Sequence, residues 1–291
     1  LEEIESMIPR HPQCRCIALP IEEKDVAEHN AERERLEQEK IEQEKAEQEK
    51  LKQEKAKKTT SSFGSSDVKN QEFLGGGVNE TQKVIFKDGT AGVFKPVAGE
   101  TDWLRGLVDG DLYTREVAAY KVDKILGLDI VPETIIWKDA AGNIGSLQKW
   151  VDNAQTAAGA PSTLVSFAQG TTSYHKMKIL DALICNTDRH KGNWMITGST
   201  VDLRAVKVIP IDHGASLKNE VLSNLTTRQL VNSAVDSYSE LANHIQIELR
   251  NKFNAVSIEA LRTELTDLLG DGPAVHGMIE RFTLFLEKIT E

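Results

Sequence analysis

The sequence predicts an α+β fold of two lobes, with an antiparallel sheet in the N-terminal lobe, helices in the C-terminal lobe and a long charged helix in front. Three observations support this prediction. Short β-type runs alternate with glycine-containing turns over residues 67–151. Apolar residues recur at helical spacing over residues 235–291. Residues 31–58 repeat a short unit of strong helix formers, Glu-Gln-Glu-Lys with small variations.

The composition limits the classes of protein to consider. With 291 residues and a 40% hydrophobic content, the chain can form one large domain or two ordinary ones. No apolar run reaches the roughly 18 residues of a membrane span, and the start has no secretory signal pattern. The net charge is −10 and no region has a basic excess, which argues against nucleic-acid binding. Three cysteines without a disulfide framework favour a reducing compartment, so we expect a cytoplasmic protein.

Residues 1–24 contain the motif His-Pro-Gln-Cys-Arg-Cys. Its His11, Cys14 and Cys16 form an incomplete tetrahedral set for zinc. The motif resembles the closing motif of phage head-morphogenesis (Mu F-like) minor capsid proteins. The resemblance implies that residues 1–24 are the tail of a truncated domain, since the chain starts at Leu1, and that the source is a phage or prophage. It also extends the expected locations to a phage-infected cell and the virion.

Residues 25–66 are predicted to be a charged helical spacer and a flexible linker. Oppositely charged side chains such as Glu37 and Lys40 fall three or four residues apart, which stabilises a helix. The apolar positions 36, 41, 46 and 51 wind around the helix instead of forming a stripe, so a heptad coiled coil is not favoured. A helix that binds a partner protein or a phage head is the alternative to a solvated spacer. The Thr/Ser-rich stretch 59–66 is the predicted linker.

Residues 67–151 are predicted to form the sheet lobe. The turn Gly75-Gly76-Gly77 precedes a strand hairpin, and a glycine-rich turn lets backbone N–H groups approach phosphates. The hairpin turns at Asp88-Gly89 and its second strand carries Lys95. A helix over 111–126 follows and carries Glu116 near its start, in position to meet Lys95. A second hairpin then leads into a connection between the lobes. The predicted nucleotide-binding residues are Gly75, Gly76, Gly77, Lys95, Glu116, Gln148 and Val151.

Residues 152–291 are predicted to form the helical lobe. Residues 154–172 suggest a loop with one short helix, and 174–185 a longer helix that leads into a polar loop. Further helices are expected over 235–253, 257–269 and 273–290. Ser257 is the predicted N-cap of the second of these, and Gly270 its stop. Cys185 is expected to be a small buried hydrophobic residue.

The polar loop after that first long helix holds the predicted catalytic residues. Asp188 is followed five residues later by Asn193, and Asp212 comes at the end of a short β-type run. Phosphoryl transfer needs a carboxylate that takes the proton of the acceptor or orients its hydroxyl, together with oxygen ligands for Mg²⁺. We therefore assign Asp188 to the acceptor hydroxyl and Asn193 and Asp212 to the metal. His190 is placed to neutralise charge on the γ-phosphate, whereas Arg189 is expected to make a structural pair.

These motifs resemble the catalytic and metal loops of the phosphatidylinositol 3-/4-kinase-like superfamily. Their residue sequences are most similar to those of type II phosphatidylinositol 4-kinases and their bacterial relatives. The residues that carry the resemblance are Asp188-Arg189-His190-Lys191-Gly192-Asn193 and Ile211-Asp212-His213-Gly214. HipA-like and actin-fragmin-type kinases share this two-lobed protein-kinase-like fold. The resemblance therefore implies an ATP-dependent kinase more firmly than a lipid substrate. One departure is His213, where protein kinases have phenylalanine.

The sequence thus predicts an ATP- and Mg²⁺-dependent phosphotransferase that moves the γ-phosphate to a hydroxyl acceptor. A protein or small molecule is favoured as acceptor over an inositol lipid, because no basic, aromatic-rich insertion is present to bind a membrane. Two alternatives remain open. One is a phage head-associated structural protein with a nucleotide-binding pseudokinase module, and the other is a nucleotidyl transferase on the same fold.

Overall fold

A computed structural model of the chain describes residue 35 and residues 63–75, 80–100 and 112–290. The chain divides into two compact units, Leu1–Ser62 and Phe63–Glu291. The predicted tail over 1–24, its candidate zinc ligands and nearly all of the predicted spacer lie outside the described residues. So do Gly76, Gly77 and the predicted first residue of the helix over 111–126.

The N-terminal lobe is a five-stranded sheet in which every neighbouring pair is antiparallel, in the order β1-β2-β3-β5-β4. Its strands are β1 (Val68–Phe73), β2 (Gln82–Phe86), β3 (Ala91–Pro96), β4 (Thr134–Lys138) and β5 (Ile144–Lys149). A short 3₁₀ turn, Val97–Gly99, follows β3. Helix α1 (Leu112–Leu126) then packs against β4 and β5. The predicted antiparallel-sheet lobe is therefore confirmed.

Side chains along β3 point alternately to the two faces of the sheet, one packed in the core and the other facing the cavity between the lobes. Phe94 is fully buried and meets Trp137 edge to face, with ring centroids 4.9 Å apart. Because successive side chains on a strand point to opposite faces, Lys95 lies on the other side of the sheet. Phe63 is also buried in the cluster around Phe94, so the folded unit already includes the end of the predicted linker.

Strand β5 approaches the strand that carries Lys95 very closely. A Cβ atom at Gly145 would lie 2.1 Å from the carbonyl oxygen of Lys95. No side chain fits at that distance, so glycine at this position lets β5 pair with β3 in register, with Ser146 opposite Lys95. The backbone around Lys95 is held on both sides, by β2 and by β5.

The C-terminal lobe is helical. Its helices are α2 (Ser162–Gln169), α3 (Thr172–Leu183), α4 (Asn224–Ser239), α5 (Asn243–Asn254), α6 (Ile258–Leu269) and α7 (Pro273–Thr290). A small antiparallel sheet, β6 (Gln155–Thr156), β7 (Trp194–Thr197) and β8 (Lys207–Pro210), lies beside them, with a 3₁₀ turn, Leu203–Ala205, before β8. The core is built partly from aromatic rings, since Phe253 packs edge to face on Phe282 and Phe285. No helix among the described residues is both long and apolar enough to cross a bilayer.

Two helical predictions have different outcomes. Ser257 caps α6 as predicted, because its hydroxyl accepts the Ala260 N–H at 3.2 Å. The single helix predicted over 235–253 is wrong, because α4 ends at Ser239 and α5 begins at Asn243. The side-chain amide of Gln246 donates to the carbonyls of Ser239 and Leu241 and so satisfies the backbone at the break.

Candidate active site

A cavity of about 620 Å³ lies between the two lobes of the second unit. Its volume falls within the range of roughly 300–1,000 Å³ that is usual for small-molecule sites. All the predicted site residues that the structure describes line it: Gly75, Lys95, Glu116, Gln148, Val151, Asp188, His190, Asn193 and Asp212. Residues that lie up to 137 positions apart in the sequence therefore meet in one site.

Lys95 forms the centre of the charged wall of the cavity. Its Nζ lies 2.6 Å from Oε1 of Glu116 and 2.9 Å from Oδ1 of Asp212. Burial alone would lower the pKa of Lys95, but the two carboxylates outweigh it and raise the pKa above its usual value. The pKa of Glu116 is held far below its usual value, because the neighbouring ammonium outweighs the cost of burial. Both groups are therefore charged at neutral pH.

Glu116 also holds the loop that carries Asp212. Its Oε2 accepts the backbone N–H of His213 at 2.8 Å. The ring of His213 is fully buried, and within the described part of the chain neither of its nitrogens has a hydrogen-bond partner. Burial lowers the pKa of this imidazole, which keeps it neutral. The ring lies behind the carboxylate of Glu116, with Nδ1 3.7 Å from Oε2.

The polar loop after α3 orients its own residues through short-range hydrogen bonds. The side-chain amide of Asn193 donates to the backbone oxygen of Asp188 at 2.8 Å and to its carboxylate at 3.1 Å. Asn193 is buried, whereas Asp188 is partly exposed to the cavity. With its N–H groups directed at Asp188, the amide of Asn193 has its oxygen available to a cation.

His190 lies at the mouth of the cavity, with 62% of its side chain exposed. Its Nδ1 accepts the N–H of Gly192 at 3.0 Å, so a neutral ring carries its proton on Nε2. That Nε2 lies 3.8 Å from Oδ1 of Asp188. A Cβ atom on Gly192 would be 2.7 Å from the ring, so glycine at this position leaves room for the imidazole.

Arg189 connects the two loops of the site, and its anchor, Asp181, was missed from the sequence. Asp181 on α3 accepts Arg189 Nε at 2.9 Å and Nη2 at 3.0 Å. The remaining nitrogen, Nη1, donates to the backbone oxygens of Asn193 and of Ile211, the latter at 2.6 Å. The guanidinium therefore fixes the loop of Asp188 and Asn193 against the end of β8, directly before Asp212.

Replacing Asp181 with alanine is expected to lower the free energy of unfolding by about 3–5 kcal/mol, because it leaves the Arg189 charge buried without its partner. Both side chains are only 8% exposed. The measurement is the midpoint of urea unfolding. As a matched control, Glu264→Ala breaks the pair with Lys121, whose side chains are 38% and 40% exposed, and should cost at most about 1 kcal/mol. Equal losses in the two variants would contradict this account.

Asp212 adopts an unusual backbone conformation, with φ at 59°. This left-handed region is several-fold enriched in aspartate among residues other than glycine, and strained positions of this kind cluster at functional sites. Among the described residues no group of three His, Cys, Asp or Glu side chains could hold a metal ion. The candidate metal ligands are one carboxylate and one amide oxygen. Such a set suits Mg²⁺, which is usually held by one or two carboxylates together with substrate phosphates.

An apolar wall lies next to these charged residues in the cavity, since Val93 is two residues from Lys95 and Ile211 directly precedes Asp212. It includes Val93, Met195 and Ile211, which were not among the predicted site residues. The signal that identifies Val93 is its position two residues before Lys95 on β3, which places both on the same face of the sheet. Trp150 also lines the cavity, and Lys83 Nζ lies 3.8 Å from the centre of its ring. The cavity thus has an apolar part and a charged part.

Comparison with known proteins gives a family match over part of the chain. Residues 143–262 match the family model described as phosphatidylinositol 3- and 4-kinase. Protein Rv2133c of Mycobacterium tuberculosis (strain ATCC 25618 / H37Rv) is 28% identical over 225 residues, which cover 64% of this chain and 78% of that protein. Phosphatidylinositol 4-kinase gamma 4 of Oryza sativa subsp. japonica is 33% identical over 127 residues, which cover 39% of this chain and 21% of the rice protein.

Two solved structures also align with the chain. The Golgi casein kinase with Mn/ADP bound has a TM-score of 0.48 and 16% identity, over 78% of this chain and 74% of that one. The Helicobacter pylori proinflammatory kinase CtkA has a TM-score of 0.48 and 12% identity, over 78% and 97%.

The region matched by the family model contains the loops of Asp188, Asn193 and Asp212. Lys95, in the sheet lobe, forms an ion pair with Asp212. On this match and this arrangement the protein is a kinase-like phosphotransferase.

Proposed function

We propose that the chain binds ATP with Mg²⁺ in the interlobe cavity and transfers the γ-phosphate to a hydroxyl acceptor. One observation carries the proposal most directly. A single lysine, Lys95, is held between Glu116 on α1 and Asp212 in the opposite lobe, at 2.6 Å and 2.9 Å. Phosphoryl transfer depends mainly on positioning and on neutralising charge, and this arrangement supplies a fixed cation beside the candidate metal ligand.

Each side chain has a role that its surroundings support. Lys95 binds the α- and β-phosphates, and Glu116 keeps it in place. Gly75 lines the cavity at the end of β1, where a phosphate chain can approach the backbone, and Gln148 and Val151 line the part next to the apolar wall, where adenine fits. Asn193 and Asp212 would hold Mg²⁺, which neutralises phosphate charge when it is bound. Their hard oxygen atoms match the ligands that this cation prefers.

Asp188 is assigned to the acceptor. Its carboxylate is fixed by Asn193 on one side and approached by His190 on the other, and it is accessible from the cavity. A carboxylate in this position orients the acceptor hydroxyl and takes its proton as the oxygen attacks the γ-phosphorus, while the bond from that phosphorus to the β–γ bridging oxygen breaks and ADP leaves. His190 then offers its Nε2–H toward the transferred phosphate, where negative charge increases.

The acceptor we favour is a protein side chain or a small hydroxyl compound. The family match covers the loops to which we assign the phosphates and the metal, and these loops do not by themselves select the acceptor. The matched part of the rice kinase is 21% of its length, so its lipid substrate is not carried over from the match. The net charge of −10 also disfavours the anionic surfaces of nucleic acids and of membranes rich in inositol lipids.

Incubation with ATP labelled at the γ- or the α-phosphate separates this proposal from its rivals. We expect label on protein or on an added hydroxyl compound from γ-labelled ATP alone, and only in the presence of Mg²⁺. Transfer from α-labelled ATP would instead indicate a nucleotidyl transferase. Binding of ATP without transfer of either label to any acceptor would favour a pseudokinase module.

A further inference from the structure

Helix α1 begins with two backbone N–H groups that are bound by a carboxylate from outside the helix. Oε2 of Glu100 accepts the N–H of Leu112 at 2.9 Å, and Oε1 accepts the N–H of Tyr113 at 2.7 Å. The first four N–H groups of a helix have no partner inside the helix, so such a contact satisfies two of them. The ordinary N-cap is a residue adjacent to the helix, whereas Glu100 precedes Leu112 by 12 positions.

The electrostatics of this contact are favourable. The N-terminus of a helix carries a partial positive charge of about half an elementary charge, which a carboxylate stabilises. The first turn of α1 contains no acidic residue of its own. Glu100 also lines the interlobe cavity, as does Glu116 on the same helix whose start Glu100 binds. The negative charge of Glu100 there is offset by the helix end that it binds.

The position of Glu100 connects the strand of Lys95 to the helix of Glu116. Strand β3 ends at Pro96, and the N–H of Glu100 donates to the backbone oxygen of Val97 at 2.9 Å, which closes the 3₁₀ turn that follows. Glu100 is thus five residues from Lys95 in the sequence. It accepts hydrogen bonds from the start of α1, one helical turn before Glu116. A shift of α1 along its axis would separate Glu116 from Lys95.

We propose that Glu100 is a positioning residue, whose two hydrogen bonds to the start of α1 fix the register in which Glu116 meets Lys95. It acts through Glu116 and touches neither the acceptor nor the reacting atoms. This inference rests on the proposed function, because the pair of Lys95 and Glu116 matters for activity only if the cavity binds MgATP.

Three substitutions of Glu100 separate its hydrogen bonding from its charge. Glu100→Ala removes both contacts, and Glu100→Gln keeps the shape but supplies one acceptor oxygen for two N–H groups. Glu100→Asp keeps both oxygens and the charge on a shorter side chain. We expect MgATP affinity to fall roughly tenfold in Glu100→Ala, less in Glu100→Gln and least in Glu100→Asp. Ser257→Ala, which removes the cap of α6 far from the cavity, should leave the affinity unchanged.

Two readouts go beyond a general loss of stability. Hydrogen exchange should speed up at the amides of Leu112 and Tyr113 in Glu100→Ala, while the amides of α6 keep their wild-type rates. In a double-mutant cycle, Glu100→Ala should add less than twofold to the loss of MgATP affinity already caused by Glu116→Gln. Independent action would instead multiply the two losses.

The outcomes are distinct. If the wild-type protein binds MgATP and Glu100→Ala binds it with the same affinity, this inference is overturned and the proposed function stands. Stronger binding in Glu100→Ala would also overturn it, since it would mean that Glu100 blocks a phosphate site at the helix end. Failure of the wild-type protein to bind MgATP would overturn both. If Glu100→Ala and Ser257→Ala lose the same amount of MgATP affinity, Glu100 is an ordinary helix cap and the inference is overturned.

Discussion

Replacing Asp188 with asparagine is expected to reduce phosphoryl transfer by about 10²–10⁴-fold, while MgATP affinity stays within a few-fold of wild type. The amide keeps the size of the carboxylate but cannot take the proton of the acceptor. Binding is spared because Asp188 is not in contact with Lys95, whose carboxylate partners are Glu116 and Asp212. The measurement is the rate of transfer from γ-labelled ATP, with nucleotide affinity determined on the same preparation.

The matched control for Asp188 is Asp202→Asn. Asp202 is an exposed carboxylate in the loop between β7 and β8, where it accepts the N–H of Arg204 at 3.2 Å. Its replacement should change neither transfer nor binding. Transfer by Asp188→Asn at the wild-type rate would contradict the role assigned to this carboxylate, and loss of binding in step with transfer would move Asp188 to the nucleotide.

Replacing Asp212 with alanine is expected to remove the Mg²⁺-dependent part of ATP binding. Asp212 is the only carboxylate among the proposed metal ligands, so its loss should weaken MgATP binding by roughly 10–100-fold or more. ATP without Mg²⁺ should bind the variant about as well as ATP with Mg²⁺. The measurement compares the two affinities in wild type and variant by calorimetry, with EDTA in place of Mg²⁺.

Asp267→Ala provides the control for removal of a carboxylate from the same lobe. Asp267 is exposed on α6 and lies outside the residues that line the cavity. It should keep the full difference between ATP with and without Mg²⁺. A difference of wild-type size in Asp212→Ala would contradict the assignment of Asp212 to the metal.

Local patterns explain what could be predicted from the sequence. The hairpin at Asp88-Gly89 and the cap at Ser257 depend on interactions within a few residues, and both are present in the structure. The contact between Asp188 and Asn193 is similar, because its hydrogen bonds span only five residues. The residues that form such features are close together in the sequence, so a single sequence is enough to predict them.

Several contacts between distant segments could not be predicted. Nothing near Glu100 indicates that its carboxylate reaches the start of a helix 12 residues later, and nothing near Phe63 indicates burial in the sheet lobe. The break between α4 and α5 was missed for the same reason. Helical periodicity continues through it, while the side chain of Gln246 satisfies the freed carbonyls only once the chain has turned.

The central claim is that the interlobe cavity is an MgATP site, and the most direct test is the thermal unfolding of the wild-type protein with and without MgATP. At a ligand concentration about 100 times its Kd, binding stabilises the folded state by about 2.7 kcal/mol, which for a domain of this size corresponds to roughly 5–10 °C in Tm. We predict a shift of this order that EDTA largely abolishes. An unchanged Tm at millimolar MgATP would contradict the account.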